Sequence, residues 1–240
     1  MTMHDENLMA RIAANLAEIR GNIAAACARA GRRADEVTLV AVTKTVGVDA
    51  VRAALACGIT VVGENRVQEA REKFAAIGNA AEWHLIGPLQ KNKVKYIFDI
   101  FSMVHSVDSA ALAEEISRRA AARGMVMPVL LEVNIGEEPN KHGVPPVEAV
   151  ALAKKIAALP NVRLRGLMAI PPYADDPEAS RPHFARLRGL RDEIAVLGME
   201  NAALDVLSCG MTSDYAVAVE EGASHIRIGT GIFGERKTSG

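Results

Sequence analysis

The stretch VTLVAVTKT, Val37 to Thr45, is the segment whose reading decides the fold. It is apolar and rich in β-branched residues, as a strand buried on both faces requires, and it ends in one lysine, with Gly47 close behind. Strand side chains alternate, so Val40, Val42 and Lys44 share one face while Leu39, Ala41 and Thr43 share the other. If the first face looks into a barrel, the Lys44 amine sits at the carboxyl mouth. Burial there disfavours the ammonium form, lowers the pKa and leaves an amine able to condense with an aldehyde. The competing reading is a lysine that lays its stem along the strand end and keeps its charge in solvent.

Working outward, the same strand-like pattern returns at residues 59–65, 82–89, 101–107, 128–135, 162–170, 205–211 and 225–234. Helical segments stand between these: Val48 to Ala56, Arg66 to Ala76, the start of a helix in KNKVKYIF, an alanine-rich stretch capped by Asp108 or Ser109, a helix preceded by Pro145 and Pro146 and running to about Leu159, His183 to Leu197, and a short SDYAVAVEEG helix. Ahead of the first strand, Leu8, Ile12, Leu16, Ile19, Ile23 and Cys27 recur every three or four positions, which predicts one long amphipathic helix stopped by Gly31. Eight strands alternating with helices predict a single (β/α)8 TIM barrel with an extra N-terminal helix, one domain over residues 1–240. An open doubly wound sheet is the alternative, but its G-x-G-x-x-G turn is missing after the first strand, where TKTVGV stands.

Composition narrows the function classes. The 28 basic and 29 acidic residues leave a net charge of −1, so no overall field draws the chain to nucleic acid or an anionic membrane. Cys27, Cys57 and Cys209 stand singly in apolar sequence, without metal-ligand spacing, and read as reduced core or near-core thiols of a cytoplasmic protein. The N-terminal residues carry charges throughout, so neither a signal peptide nor a membrane span is expected. His142, His183 and His225 show no ligand spacing, and no metal site is expected. Lys91, Lys93 and Lys95 read as a solvated basic face, Asp175 and Asp176 as helix-capping residues, and Trp83 as core or rim packing.

In a barrel, chemistry collects at the carboxyl ends of the strands. Those ends are Lys44, Asn65, His84 with Gly87, His105, Asn134, Met168, Ser208 with Gly210, and Arg227 with Gly229 and Thr230. After the seventh and eighth strands, Ser208-Cys209-Gly210-Met211-Thr212-Ser213 and Gly229-Thr230-Gly231 place hydroxyls and glycines before helix N-termini, a setting that attracts a dianion. An aldehyde-seeking amine opposite a phosphate cradle suits pyridoxal 5′-phosphate or a phosphorylated sugar, and the residues alone leave both open.

The motifs VAVTKT, GENRVQE, WHLIGPLQKNK, EVNIGEEPNKHGV, GLMAIPP, LSCGMTSDY and HIRIGTGIFGER, in that order from Val40 to Arg236, resemble the pyridoxal phosphate homeostasis protein family, also called the YggS or PROSC family. That family is similar in fold to the barrel domain of alanine racemase. The resemblance implies a Schiff base between pyridoxal 5′-phosphate and Lys44. It implies a phosphate held by Ser208 and the backbone of Gly229 and Thr230, Arg227 facing the pyridine nitrogen, and Asn65 and Met168 lining the cofactor. His84 is implied as a nearby packing residue and Lys141, beside Glu138 and Gly143, as a second, weaker cofactor contact. A core histidine and a solvated loop charge are their respective alternatives. The family more often carries methionine and serine where this chain has Cys209 and Thr212. Thr212 keeps a hydroxyl, whereas an inward Cys209 would alter packing or add redox sensitivity.

An arginine opposite the ring nitrogen discourages its protonation and weakens the cofactor as an electron sink. Racemases with such an arginine use a tyrosine base from a second domain, and none is expected here after the eighth strand; Tyr173 and Tyr215 are the tyrosines able to approach the mouth. The reading is therefore a monomeric, cytoplasmic cofactor carrier without catalytic residues, buffering pyridoxal phosphate or delivering it to apo-enzymes. The alternatives are a small racemase of narrow specificity and a Schiff-base aldolase.

Overall fold

The computed structural model describes residues 3–235. Eight parallel strands close on themselves in sequence order: β1 (Thr38–Val42), β2 (Val61–Glu64), β3 (Glu82–Leu85), β4 (Met103–Val107), β5 (Met127–Val133), β6 (Val162–Ala169), β7 (Ala202–Ser208) and β8 (His225–Ile228). β8 pairs back to β1 from Thr38↔His225 to Ala41↔Ile228. Around them lie α1 (Met3–Arg29), α2 (Val48–Ala56), α3 (Val67–Ile77), α4 (Ala110–Ala121), α5 (Pro146–Ala157), α6 (Arg181–Ala195), α7 (Tyr215–Glu220) and α8 (Thr230–Phe233). This is the (β/α)8 barrel that the strand pattern predicts.

Alternation along each strand divides the core in two. Ala41, Val62, Trp83, Leu85, Val104 and Leu131 face outward into the large apolar layer beneath the helices. Met103, Leu130, Met168 and Val206 pack with one another inside the barrel. Of the core and rim positions open to Trp83 it takes the core: it is 1% exposed, its ring lies edge-on to Phe74 at 5.9 Å, and its indole N–H donates to the Gly78 carbonyl at 3.1 Å.

The N-terminal helix has a structural task. α8 has only four residues and cannot cover the seam where β8 meets β1. α1 packs against α2, α7 and α8 instead, burying Ile12, Leu16, Ile19, Ile23, Ala26 and Cys27, with the Asn15 amide donating to the Ile232 carbonyl at 2.9 Å. Each buried branched side chain contributes roughly 1.5–3 kcal/mol, so this stripe outweighs the modest intrinsic stability of the helix.

Several local expectations are corrected. Within the KNKVKYIF segment Lys91–Tyr96 forms a 3-10 helix, whose one buried residue, Val94, offers no apolar stripe for an α-helix; Ile97 and Phe98, beyond it, are buried. Lys95 and Arg71 lie over the Tyr96 ring, at 4.8 and 5.3 Å. The eighth strand ends at Ile228, since Gly229 turns the chain and its carbonyl accepts from the Phe233 amide at 3.0 Å. β3 stops at Leu85, ahead of the Gly87-Pro88 turn, and β7 stops at Ser208, leaving Cys209 and Gly210 beyond it. Ser109 occupies the N-cap of α4, but its side chain makes no capping hydrogen bond. α6 begins at Arg181, two residues early, with Pro182 in its first turn.

The β6–β7 pairing contains a shift: Leu164 pairs with Ala202, yet Gly166 pairs with Val206, so β7 carries two extra residues and Leu204 is forced to φ 50°. Backbones are pressed together there, and a Cβ on Gly166 would lie 1.7 Å from the Val206 carbonyl oxygen. Gly166→Ala is expected to cost more than about 3 kcal/mol. Gly189→Ala, in open space on α6, should stabilise by roughly 0.5–1 kcal/mol. Urea unfolding midpoints of both variants check this pair, and a near-neutral Gly166→Ala would disprove the close approach.

Candidate functional site

β1 gives way at Thr43 to a tight turn in which the Val46 amide donates to the Thr43 carbonyl at 2.9 Å and Thr45 adopts φ 62°. Lys44 sits at the tip of this turn, half-buried, on the wall of a cleft of about 510 Å³ at the carboxyl mouth. The cleft draws Asn65 from beyond β2, Gly87 and Pro88 from beyond β3, Glu132 from β5, and Ile170 and Tyr173 from beyond β6. Met211, Thr212 and Ser213 reach it after β7, and Arg227, Gly229 and Thr230 come from β8 and its end.

The loops after β7 and β8 are joined by Thr212, whose Oγ1 accepts from the Thr230 hydroxyl at 3.1 Å and from the Gly231 amide at 3.3 Å. A Cβ on Gly231 would stand 3.2 Å from Thr212 and 2.9 Å from Ile228, so a glycine is what lets the two loops meet. With six residues in α7 and four in α8, neither helix has an appreciable dipole, and the sequence-based appeal to helix N-termini is replaced by local hydroxyls and amides.

Arg227 forms the floor. It is 4% exposed, and burial works against its charge, lowering its pKa from the usual value. Its guanidinium donates to the Ala169 carbonyl at 3.1 Å and to Ser208 Oγ at 2.6 Å. Ser208 Oγ lies 3.0 Å from His105 Nδ1, His105 Nε2 lies 3.0 Å from His84 Nδ1, and His84 Nε2 lies 3.1 Å from Glu82 Oε1. With neutral rings, one alternation satisfies every pair: arginine donates to serine, serine to His105, His105 to His84, and His84 to the carboxylate. Burial drives the His105 pKa well below that of a free imidazole, and the hydrogen bond from His84 holds Glu82 down to about 2. His225 joins the same interior, its ring 5.9 Å from His84 and its pKa lowered by burial to about 4.

The expected site residues therefore divide. Lys44, Asn65, Arg227, Gly229 and Thr230 share the cleft. Ser208 and Met168 lie beneath it, wholly buried, the serine hydroxyl turned to Arg227 and His105 and the methionine packed among Met103, Leu130 and Val206. Thr212, Ser213 and Thr230 are the serine and threonine residues that line the cleft. His84 is a core histidine satisfied by side chains. Lys141 lines a separate hollow with Asn134, Glu137 and Gly143, paired to Glu138 and 3.3 Å from the Pro171 carbonyl, while its neighbour His142 lines the main cleft. Cys209 is fully buried and its thiol is pushed up to about 12, which removes the redox sensitivity entertained for it. Among the described residues no group of three or more His, Cys, Asp or Glu is placed to hold a metal.

Glu132 was missed by the sequence reading. Strand parity would have found it, because it follows inward-facing Leu130 at the upper end of an apolar strand. It is 7% exposed, and burial, with help from Asp108, raises its pKa to about 7 against the opposing pull of Arg227.

The family profile described as "Alanine racemase, N-terminal domain" matches residues 14–237. A protein of Aquifex aeolicus named pyridoxal phosphate homeostasis protein is 47% identical over 223 residues, 92% of this chain and 97% of that one. The chain belongs to the pyridoxal phosphate homeostasis protein family. The family likeness extends to three dimensions: the structure of PipY from Synechococcus elongatus with PLP bound superposes with a TM-score of 0.81 at 36% identity, covering 93% of this chain and all of PipY. An alanine racemase of Clostridium difficile, 15% identical, shares the fold, with a TM-score of 0.74 over 95% of this chain and 58% of the racemase.

Because the folded Glu132 pKa lies above its ordinary 4.5, the folded state binds the extra proton, and the associated stability is present below pH 4.5 and lost as pH rises through about 7. Ionisation at higher pH costs about 3 kcal/mol. Glu132→Gln should therefore be more stable than the parent at pH 8 and show no advantage at pH 4.5. Thermal midpoints of the two proteins at both pH values check it, and a pH-independent difference would refute the shifted carboxyl.

Proposed function

We propose that this chain binds pyridoxal 5′-phosphate in the mouth cleft, linked as a Schiff base to Lys44, and serves cofactor homeostasis by buffering or delivery. The observation that carries the reading is the meeting of an amine, a buried guanidinium and a cluster of hydroxyls and amides in one cleft of about 510 Å³. The donor set fits the group: Lys44 for the aldehyde, Thr212, Ser213, Gly229 and Thr230 for the phosphate, and Arg227 for the ring nitrogen. Family membership and the PLP-bound PipY structure support the same choice. Ser208 acts through Arg227, Met168 forms the apolar bed beneath, and Asn65 lines the wall.

When bound, the cofactor supplies an electrophilic carbonyl and an aromatic ring. The chain's own residues bind it, orient it and shield it from stray amines. Arg227, fixed by Ser208 and Ala169, presents a permanent donor, which discourages ring protonation and with it carbanion chemistry. Tyr215, one of the tyrosines considered as a base, accepts a hydrogen bond from the Asn22 amide at 3.0 Å and does not line the cleft; Tyr173 does, at 83% exposure. We therefore read the protein as non-catalytic, monomeric and cytoplasmic, with apo-enzymes as recipients, and Lys141 as at most an accessory contact.

A racemase remains the alternative because Tyr173 stands at the rim. Exchange of an amino-acid Cα proton in heavy water, lost in Lys44→Ala, would establish it; no exchange together with reactivation of apo-enzyme faster than by free cofactor supports the carrier. For binding itself, the protein should show a yellow absorbance band that Lys44→Ala abolishes. Borohydride reduction should leave the pyridoxyl group on the peptide containing Lys44. A band that survives the substitution, or a label mapped elsewhere, would sink the assignment.

A further inference from the structure

Behind the barrel wall, α3 grips both peptide groups that flank Lys44. The Thr45 amide donates to Glu69 Oε1 at 2.5 Å, and the Thr43 carbonyl accepts from Lys73 Nζ at 2.5 Å. Lys73 completes its three donors with Glu69 Oε1 and Glu64 Oε1, both at 2.7 Å. Glu64 is wholly buried at the end of β2 and also accepts from the Thr43 hydroxyl at 2.6 Å. Its second oxygen is buried without a hydrogen-bond partner among the described residues.

We propose that Glu69 and Lys73 are positioning residues for Lys44: they lock the turn that aims its amine into the cleft. The inference rests on the reading of Lys44 as the functional amine. Thr45 is β-branched and sits at φ 62°, a conformation such residues avoid unless surrounding bonds impose it, and Glu69 supplies that bond. A buried Lys-Glu pair is a poor source of stability compared with apolar packing. Here its hydrogen bonds converge on Thr43 and Thr45, and so on the one residue between them. Strand parity separates the tasks, since Thr43 and Glu64 point outward to α3 while the neighbouring turn residue lines the cleft. The clamp acts on the amine without occupying ligand space.

The charged groups bonded to this turn are Glu69 and Lys73 of α3 and, through the Thr43 hydroxyl, Glu64 of β2, while Glu132, His142, Tyr173 and Arg227 line the cleft with Lys44; of the two α3 residues Glu69 is the more accessible, with a quarter of its side chain exposed. Glu69→Ala therefore releases Thr45 while Lys73 keeps Thr43 and Glu64. The test uses the full-length protein freed of cofactor with hydroxylamine, and reads the pH profile of Lys44 acetylation by acetic anhydride through peptide mass spectrometry. We expect Glu69→Ala to change the Lys44 labelling rate roughly tenfold and to displace its pH midpoint, with an unchanged circular dichroism spectrum. Glu69→Gln, which keeps an acceptor for the Thr45 amide, should recover most of the parent profile. The double variant Glu64→Gln, Lys73→Met should repeat the displacement by taking the Lys73 donor from the Thr43 carbonyl. Profiles of Glu69→Ala and the double variant that superimpose on the parent would overturn the proposal. Because this readout needs no cofactor, it fails or succeeds separately from the borohydride mapping of pyridoxal phosphate.

Discussion

A guanidinium sealed inside a barrel must find its acceptors there, and the interior is built around that need. Arg227 is satisfied by the Ala169 carbonyl at the end of β6 and by Ser208 at the end of β7. Satisfying Ser208 then calls for His105, His105 for His84, and His84 for Glu82 at the opposite end of the barrel. Contributions come from β3, β4, β6, β7 and β8, and the His105–Ser208 link crosses the interior between β4 and β7, strands that do not neighbour one another in the sheet. Burying such a series is costly unless every member is paired, and the alternation of donors and acceptors here leaves none of these five links open.

That chain also decides what the mouth can offer. A cation fixed from below cannot swing to follow a ligand, and its donors are presented from a set position, which is how preorganised polar groups select one orientation of a bound molecule. The apolar cluster of Met103, Leu130, Met168 and Val206 fills the remaining space. Above this floor the cleft wall is made of loops, where Thr212 and Thr230 knit two strand ends together.

Much of this was legible in the sequence. The barrel follows from eight strand-like runs, and the inward direction of Val40, Val42 and Arg227 follows from parity alone. Arithmetic on strand ends brought Lys44, Asn65, Arg227, Gly229 and Thr230 to one mouth, where the structure has them. Depth along the barrel axis is what such arithmetic does not give: Ser208, Met168 and His84 share the correct face and lie beneath the cleft rather than on its wall, His84 as the core histidine weighed as its alternative. Lys141 stands apart from the cleft: its loop folds back onto Pro171 and Glu138, and the Pro171 contact is long-range, which no local pattern reveals. The pairing of His84 with His105 and the grip of α3 on Thr43 and Thr45 arise from residues far apart in sequence or on different elements, and a single sequence carries no signal of such contacts.

The helix that seals the seam between β8 and β1 has a consequence for how the chain comes to its final form. α1 precedes every strand, yet its buried stripe rests on α2, α7 and α8, two of which follow the seventh strand. During synthesis the apolar face of Ile12, Leu16, Ile19 and Ile23 must wait for almost the whole chain before its site exists. Closure of the barrel and docking of its first helix thus become one late, long-range event, the kind of topology that slows folding and leaves nascent hydrophobic surface in need of protection.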